Sequence, residues 1–95
     1  MKRRLAAIFA ADVVGYSRLI RSDEERTLQQ MRTMRKEIVE PAFSEHEGRV
    51  VKWMGDGVLV EFASAVDAVA CASHIQSAIT AHNGSVPDDE RITYR

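Results

Sequence analysis

The sequence predicts an α+β fold in which a single β-sheet carries helices on one face. Three observations lead there: a continuous apolar run near the N-terminus, two stretches of helix-spaced apolar residues, and two β-rich segments joined by Gly55-Asp56-Gly57. With 95 residues the chain has room for one core and not two, so residues 1–95 read as a single domain.

Leu5 to Val14 is apolar almost throughout. A run of this kind fits a central strand covered on both faces. The basic Met-Lys-Arg-Arg before it gives the N-terminus the look of a secretory signal. Asp12 interrupts the run early, however, and no cleavage-like stretch follows, so a buried strand is the better reading. Ser22 and Glu25 have the spacing of a capping box, and Leu28, Met31, Met34, Ile38 and Val39 continue at helical spacing. Pro41 predicts a helix end at about Glu40 and the start of a second, short helix, with Gly48 as its stop. Val50 to Met54 and Val58 to Phe62 form a hairpin, and the Asp-Gly pair between them is a strong turn signal. Ser64 caps another helix with Asp67 as partner. Val66, Val69, Ala70, Ile75, Ala78 and Ile79 make its expected apolar face, and His82-Asn83-Gly84 closes it. Val86 to Glu90 is a polar loop, and Arg91 to Arg95 begins a further strand. The resulting order is β-α-β-β-α-β, the ferredoxin-like arrangement.

Composition narrows the function. Hydrophobic residues at 45% and charged residues at 28% suit a folded globular chain and argue against disorder. A net charge of −1 provides no basic field for nucleic acid. No apolar run approaches the roughly 20 residues of a membrane span. Cys71 has no partner for an intramolecular disulfide, which fits a reducing cytoplasm; set among alanines and Val69, it reads as an inert core thiol.

Two carboxylates stand out. Asp12 falls near the end of an apolar strand and Asp56 lies in a glycine-flanked turn. If the two strand tips meet, the charges repel unless a cation lies between them; Mg²⁺, which takes oxygen ligands and holds phosphates, is the natural candidate. Each has a plainer reading on its own, Asp56 as turn chemistry and Asp12 as a cap. Gly15-Tyr16-Ser17 follows Asp12 and leads towards a helix, where backbone N–H groups can cradle a phosphate. Ser17 also reads as a simple helix cap, and no Walker motif or Gly-x-Gly-x-x-Gly is present.

These residues resemble a known family. Phe9-Ala10-Ala11-Asp12-Val13-Val14-Gly15-Tyr16-Ser17 is similar to the first signature of class III adenylate and guanylate cyclases, and Lys52-Trp53-Met54-Gly55-Asp56-Gly57 is similar to the second. The resemblance runs from about Arg4 to Arg95 and corresponds to the N-terminal half of the family's catalytic domain. It implies that Asp12 and Asp56, with the backbone carbonyl of Val13, hold two divalent ions, Mg²⁺ or Mn²⁺. It implies that the turn Val14, Gly15, Tyr16 and Ser17 grips the triphosphate. Lys52 stands where the family selects the purine, and a lysine there implies ATP. Trp53 departs from the small polar residue expected beside it. The activity implied is adenylate cyclase, in which the ribose 3′-oxygen attacks the α-phosphorus, pyrophosphate leaves and cyclic AMP forms.

The resemblance also implies a homodimer whose sites are shared between subunits, and it places the lysine's acidic partner, an Asn and an Arg beyond residue 95. The isolated chain is therefore expected to bind metal and make little cyclic AMP. The alternative is a non-catalytic nucleotide- or partner-binding module on the same scaffold. A diguanylate cyclase is disfavoured, because the hairpin reads Met54-Gly55-Asp56-Gly57-Val58 and lacks a Gly-Gly-Asp-Glu-Phe-like run.

Overall fold

The structure is a computed structural model that describes residues 6–95. Leu5, where the apolar run begins, and the basic residues before it lie outside the described residues. Strands β1 (Ala7–Asp12), β2 (Arg49–Met54) and β3 (Gly57–Phe62) form an antiparallel sheet in the order β1-β3-β2. The register sets Asp12 opposite Gly57 and Phe9 opposite Val60 on one side of β3, and Trp53 opposite Val58 on the other. The expected fourth strand is present only as an isolated antiparallel bridge between Val13 and Tyr94. Asp12 and Arg95 exchange both backbone hydrogen bonds at 2.9 Å. A strand residue points its N–H and C=O to the same side, so residues 93–95 run along the edge of β1 that faces away from β3.

One face of the sheet is dry. Val58, Val60 and Phe62 from β3 are buried against Leu19, Met34, Val39, Phe43, Ile75 and Ile79 from the helices, with Phe9 packed edge-on to Phe43. The other face is open, and Ile8 there is 63% exposed. The expectation that β1 is covered on both sides is thus corrected. Ala7, Phe9 and Ala11 pack inward, but the residues between them do not.

The helices are α1 (Tyr16–Ser22), α2 (Glu24–Met34), α3 (Glu40–Glu45) and α4 (Ala65–Asn83). Ser22 is the last residue of α1 and not a cap. The cap is Asp23, whose extended backbone lets its carboxylate accept from Arg26 N–H at 3.0 Å. Pro41 does not end the helix. A π turn over Arg35–Val39 joins α2 to α3, with Glu40 N–H reaching back to the Arg35 carbonyl. The wider turn absorbs the missing donor and the ring that would otherwise break an α-helix.

α3 stops by a Schellman motif: Gly48 N–H donates to Phe43 O at 2.7 Å and Glu47 N–H to Ser44 O at 3.2 Å. The left-handed residue is Glu47, with φ 59°, and not the expected Gly48. The hairpin turn also differs by one residue from expectation. Met54 pairs with Gly57, so Gly55-Asp56 is the two-residue loop, with a positive φ of 54° at Gly55 alone among its two residues, the pattern of a type II′ turn. Ser64 caps α4 as expected, its Oγ accepting from Asp67 N–H at 3.1 Å. Of the predicted face of α4, Ile75 and Ile79 are buried, as is the expected core thiol Cys71, but the first turns differ: Val66 and Val69 are 77% and 69% exposed and Ala70 is exposed as well.

Candidate metal and nucleotide site

The register of β1 against β3 builds the site. Asp12 closes β1 directly across from Gly57, and Asp56 is the residue before Gly57 in the hairpin turn. Both carboxylates line one cavity of about 310 Å³ with Ala10, Met54, Leu59 and Arg95. A side chain at Gly57 would be tight against the backbone: its Cβ would sit 3.1 Å from the Ala11 carbonyl.

Asp12 already faces a cation. Arg95 Nε donates to Asp12 Oδ1 at 2.8 Å, with 71% of the arginine side chain and 46% of the aspartate side chain exposed. Asp56 is half-buried and also borders a second cavity of about 160 Å³, shared with Arg35, Trp53 and Tyr94. The Arg35 guanidinium lies over the Trp53 ring, 3.7 Å from its centroid, a cation–π contact that fixes both side chains beside the turn. Burial pushes the Tyr94 phenol above its ordinary pKa, the Asp56 charge adds to that, and Arg35 opposes it. The phenol therefore stays neutral.

Beyond Asp12 the chain turns sharply. Val13 is buried and pairs with Tyr94, while Val14 is exposed. Gly15, with φ 65°, is the residue that enters α1, and its carbonyl accepts from Leu19 N–H at 3.1 Å. Tyr16 and Ser17 form the first turn of α1, with Ser17 exposed. Ser17 makes no side-chain cap bond; the capping position belongs to Gly15. Lys52 is exposed on β2 opposite Leu59, on the same open face as Ala10 and Asp12. It does not line the cavity that Asp12 and Asp56 share. Thus Asp12 and Asp56 are brought together, the Val14–Ser17 turn follows directly from Asp12, and Lys52 lies further along the face. Arg95, Tyr94, Arg35 and Trp53 were not singled out beforehand as neighbours of the acids. Trp53 lies three residues before Asp56, but Arg35, Tyr94 and Arg95 reach the acids from distant positions in the chain, which no local pattern announces.

The chain is 53% identical over 95 residues to a protein named "Putative adenylate cyclase 3" from Rhizobium meliloti (strain 1021), of which it spans 16%. It is 30% identical over 96 aligned residues to the serine/threonine-protein kinase pkn2 of Myxococcus xanthus, of which it spans 11%. Among solved structures it superposes with a TM-score of 0.89 on an adenylate/guanylate cyclase/hydrolase from Silicibacter pomeroyi, at 42% identity, covering 99% of this chain and 55% of that one. No family model matches the chain. The chain therefore spans a small part of the curated relatives it matches and about half of the matching structure. In sequence and in fold the chain is similar to adenylate/guanylate cyclase domains, of which it spans a part.

Proposed function

We propose that this chain is the metal- and triphosphate-holding part of an adenylate cyclase, which converts ATP to cyclic AMP and pyrophosphate. The observation that carries the reading is the shared cavity of Asp12 and Asp56, formed by the pairing of Asp12 with Gly57 across β1 and β3. The donor chemistry fits a pair of hard divalent cations. Carboxylates suit Mg²⁺ or Mn²⁺.

In this reading Asp12, Asp56 and the Val13 carbonyl hold the ions. Bound there, the ions supply charge neutralisation at the phosphates and a lowered pKa at the ribose hydroxyl. The turn Val14, Gly15, Tyr16 and Ser17 holds the triphosphate in this reading, with donors from Gly15, Tyr16 and Ser17 at the N-terminus of α1, since the Val14 N–H already bonds to Thr93 O. Lys52 donates to an acceptor on the adenine edge, which favours ATP over GTP. The exposed apolar side chains Ile8 and Met54, on the same sheet face as Asp12, support a homodimer that covers this surface. The single buried thiol suits a cytoplasmic setting.

The test is cyclic AMP and cyclic GMP production, with Mn²⁺ or Mg²⁺, by the chain extended with the remaining half of a cyclase domain. Asp12→Ala and Asp56→Ala should each lower turnover by roughly 100-fold or more, as loss of a transition-state stabiliser commonly does. Lys52→Glu should move the preference from ATP towards GTP. Retained turnover in either aspartate variant would refute the assignment. One observation favours a second reading, that of a non-catalytic nucleotide-binding module: the Arg95–Asp12 ion pair already occupies one acid. Nucleotide and metal binding without turnover by the extended chain would select it.

A further inference from the structure

A second group of metal-ligating side chains lies at the other end of the sheet from the Gly55-Asp56 turn, where the chain leaves α3 and enters β2. Glu45 ends α3, His46 is the residue that caps it, and His74 faces them from α4. One donor atom from each of the three lies within 4.8 Å of the other two. His46 Nε2 is 3.1 Å from His74 Nδ1, and Glu45 Oε2 is 3.6 Å from the same nitrogen. Zinc–nitrogen bonds of about 2.0–2.1 Å in tetrahedral geometry separate neighbouring donors by roughly 3.3–3.4 Å. The two measured separations bracket that spacing.

We propose that Glu45, His46 and His74 bind zinc, or a similar borderline divalent transition-metal ion, and that the bound ion clamps α3 to α4. Two imidazoles and a carboxylate form a donor set that suits Zn²⁺ and disfavours Mg²⁺ and Ca²⁺, which take all-oxygen sites. The geometry is held from below. The His46 and Glu47 N–H groups bond to Ala42 O and Ser44 O, which fixes the end of α3. His74 lies on α4 between the buried anchors Cys71 and Ile75. The carbonyl end of a helix also favours a cation nearby. Access is open, with 40% of the His74 side chain and 68% of the Glu45 side chain exposed. Three protein ligands leave one tetrahedral position for water.

The experiment is calorimetric titration of the chain with Zn²⁺ in excess Mg²⁺, beside thermal unfolding and Co²⁺ absorption. One equivalent should bind, and the visible Co²⁺ bands should have the intensity of a four-coordinate site. Zinc at about 100 times its Kd should raise the unfolding midpoint by on the order of 10 °C. His46→Gln and His74→Gln should each weaken zinc binding by more than about 100-fold, beyond the 10–100-fold typical of residues that merely support a ligand. If His46→Gln fails to fold by circular dichroism, His74→Gln decides alone. Absence of zinc binding overturns the proposal. So does zinc binding that survives His74→Gln but is lost in Asp12→Asn/Asp56→Asn, because the ion then sits at the other acids.

Discussion

Glu47 and Gly48 are neighbours at the end of α3, and substitutions there should have opposite signs. Glu47 holds φ 59°, a left-handed conformation that costs a residue with a Cβ about 1–2 kcal/mol. Glycine removes that cost but returns about 0.5–1 kcal/mol through the entropy it loses on folding. Glu47→Gly should therefore stabilise by about 0.5–1 kcal/mol. Gly48 has no positive φ, but it has no room either. A Cβ there would meet the Phe62 ring at 2.7 Å and Val60 Cγ1 at 3.0 Å. Phe62 and Val60 are buried in the core and cannot swing away, so Gly48→Ala should cost about 1–3 kcal/mol by overpacking. For a chain of this length 1 kcal/mol moves the midpoint by about 4–8 °C, so thermal unfolding of the two variants separates the effects. A lower midpoint for Glu47→Gly would refute the argument, because it would mean that Gly48 carries the left-handed turn.

Two further effects follow from buried groups and caps. Burial pushes the Cys71 thiol up from 9.0 to about 11, so the folded pKa lies above the unfolded one. The associated stability is complete below pH 9 and is lost as pH rises towards about 11, on the order of 3 kcal/mol in all. The raised phenol of Tyr94 acts in the same direction, and urea midpoints of Cys71→Ala should fall less steeply over that range than those of the native chain. Ser64→Ala removes the acceptor for Asp67 N–H and should cost about 1 kcal/mol by the same urea assay, whereas Ser64→Asp should retain most of it.

The features legible in the sequence are those whose causes are local. Ser64 and Asp67 lie three residues apart, and the cap they predicted is the one that forms. The hairpin was legible because alternation and glycines act over a few residues, although its loop frame, Gly55-Asp56, was set by which pair closes the ladder. Ser22 and Asp23 are both good caps, and the difference between them is decided by where α1 ends, a tertiary matter. Pro41 misled because a π turn is a remedy that no propensity encodes. The exposed side of α4 was misassigned for a related reason. Apolar residues surround the helix near Val66 to Cys71, and only the docking of Cys71, Ile75 and Ile79 against the sheet chooses a face. At the candidate site, Asp12 and Asp56 were legible because an acid is out of place in an apolar strand and in a glycine-lined turn. Arg95 was not, since its contact with Asp12 spans 83 residues and is made by the pairing of residues 93–95 with the end of β1.

That contact makes a test of whether the acid pair is built for a cation. Arg95 is held beside Asp12 by two independent means, a backbone pair and a side-chain ion pair. Arg95→Ala removes the second and leaves the first, so the edge of β1 stays paired while Asp12 loses its guanidinium. The ion pair is largely exposed, and such pairs contribute about 0–1 kcal/mol. If a divalent ion must displace the guanidinium to reach Asp12, its affinity should rise by the worth of the lost pair, up to about 5-fold. The rise should be largest at low ionic strength, where exposed charges are least screened. Titration of Mn²⁺ into the native chain and Arg95→Ala, read by calorimetry in dilute buffer, measures the difference. Weaker binding by Arg95→Ala would contradict this, because it would mean that the arginine positions Asp12 for the ion instead of competing with it.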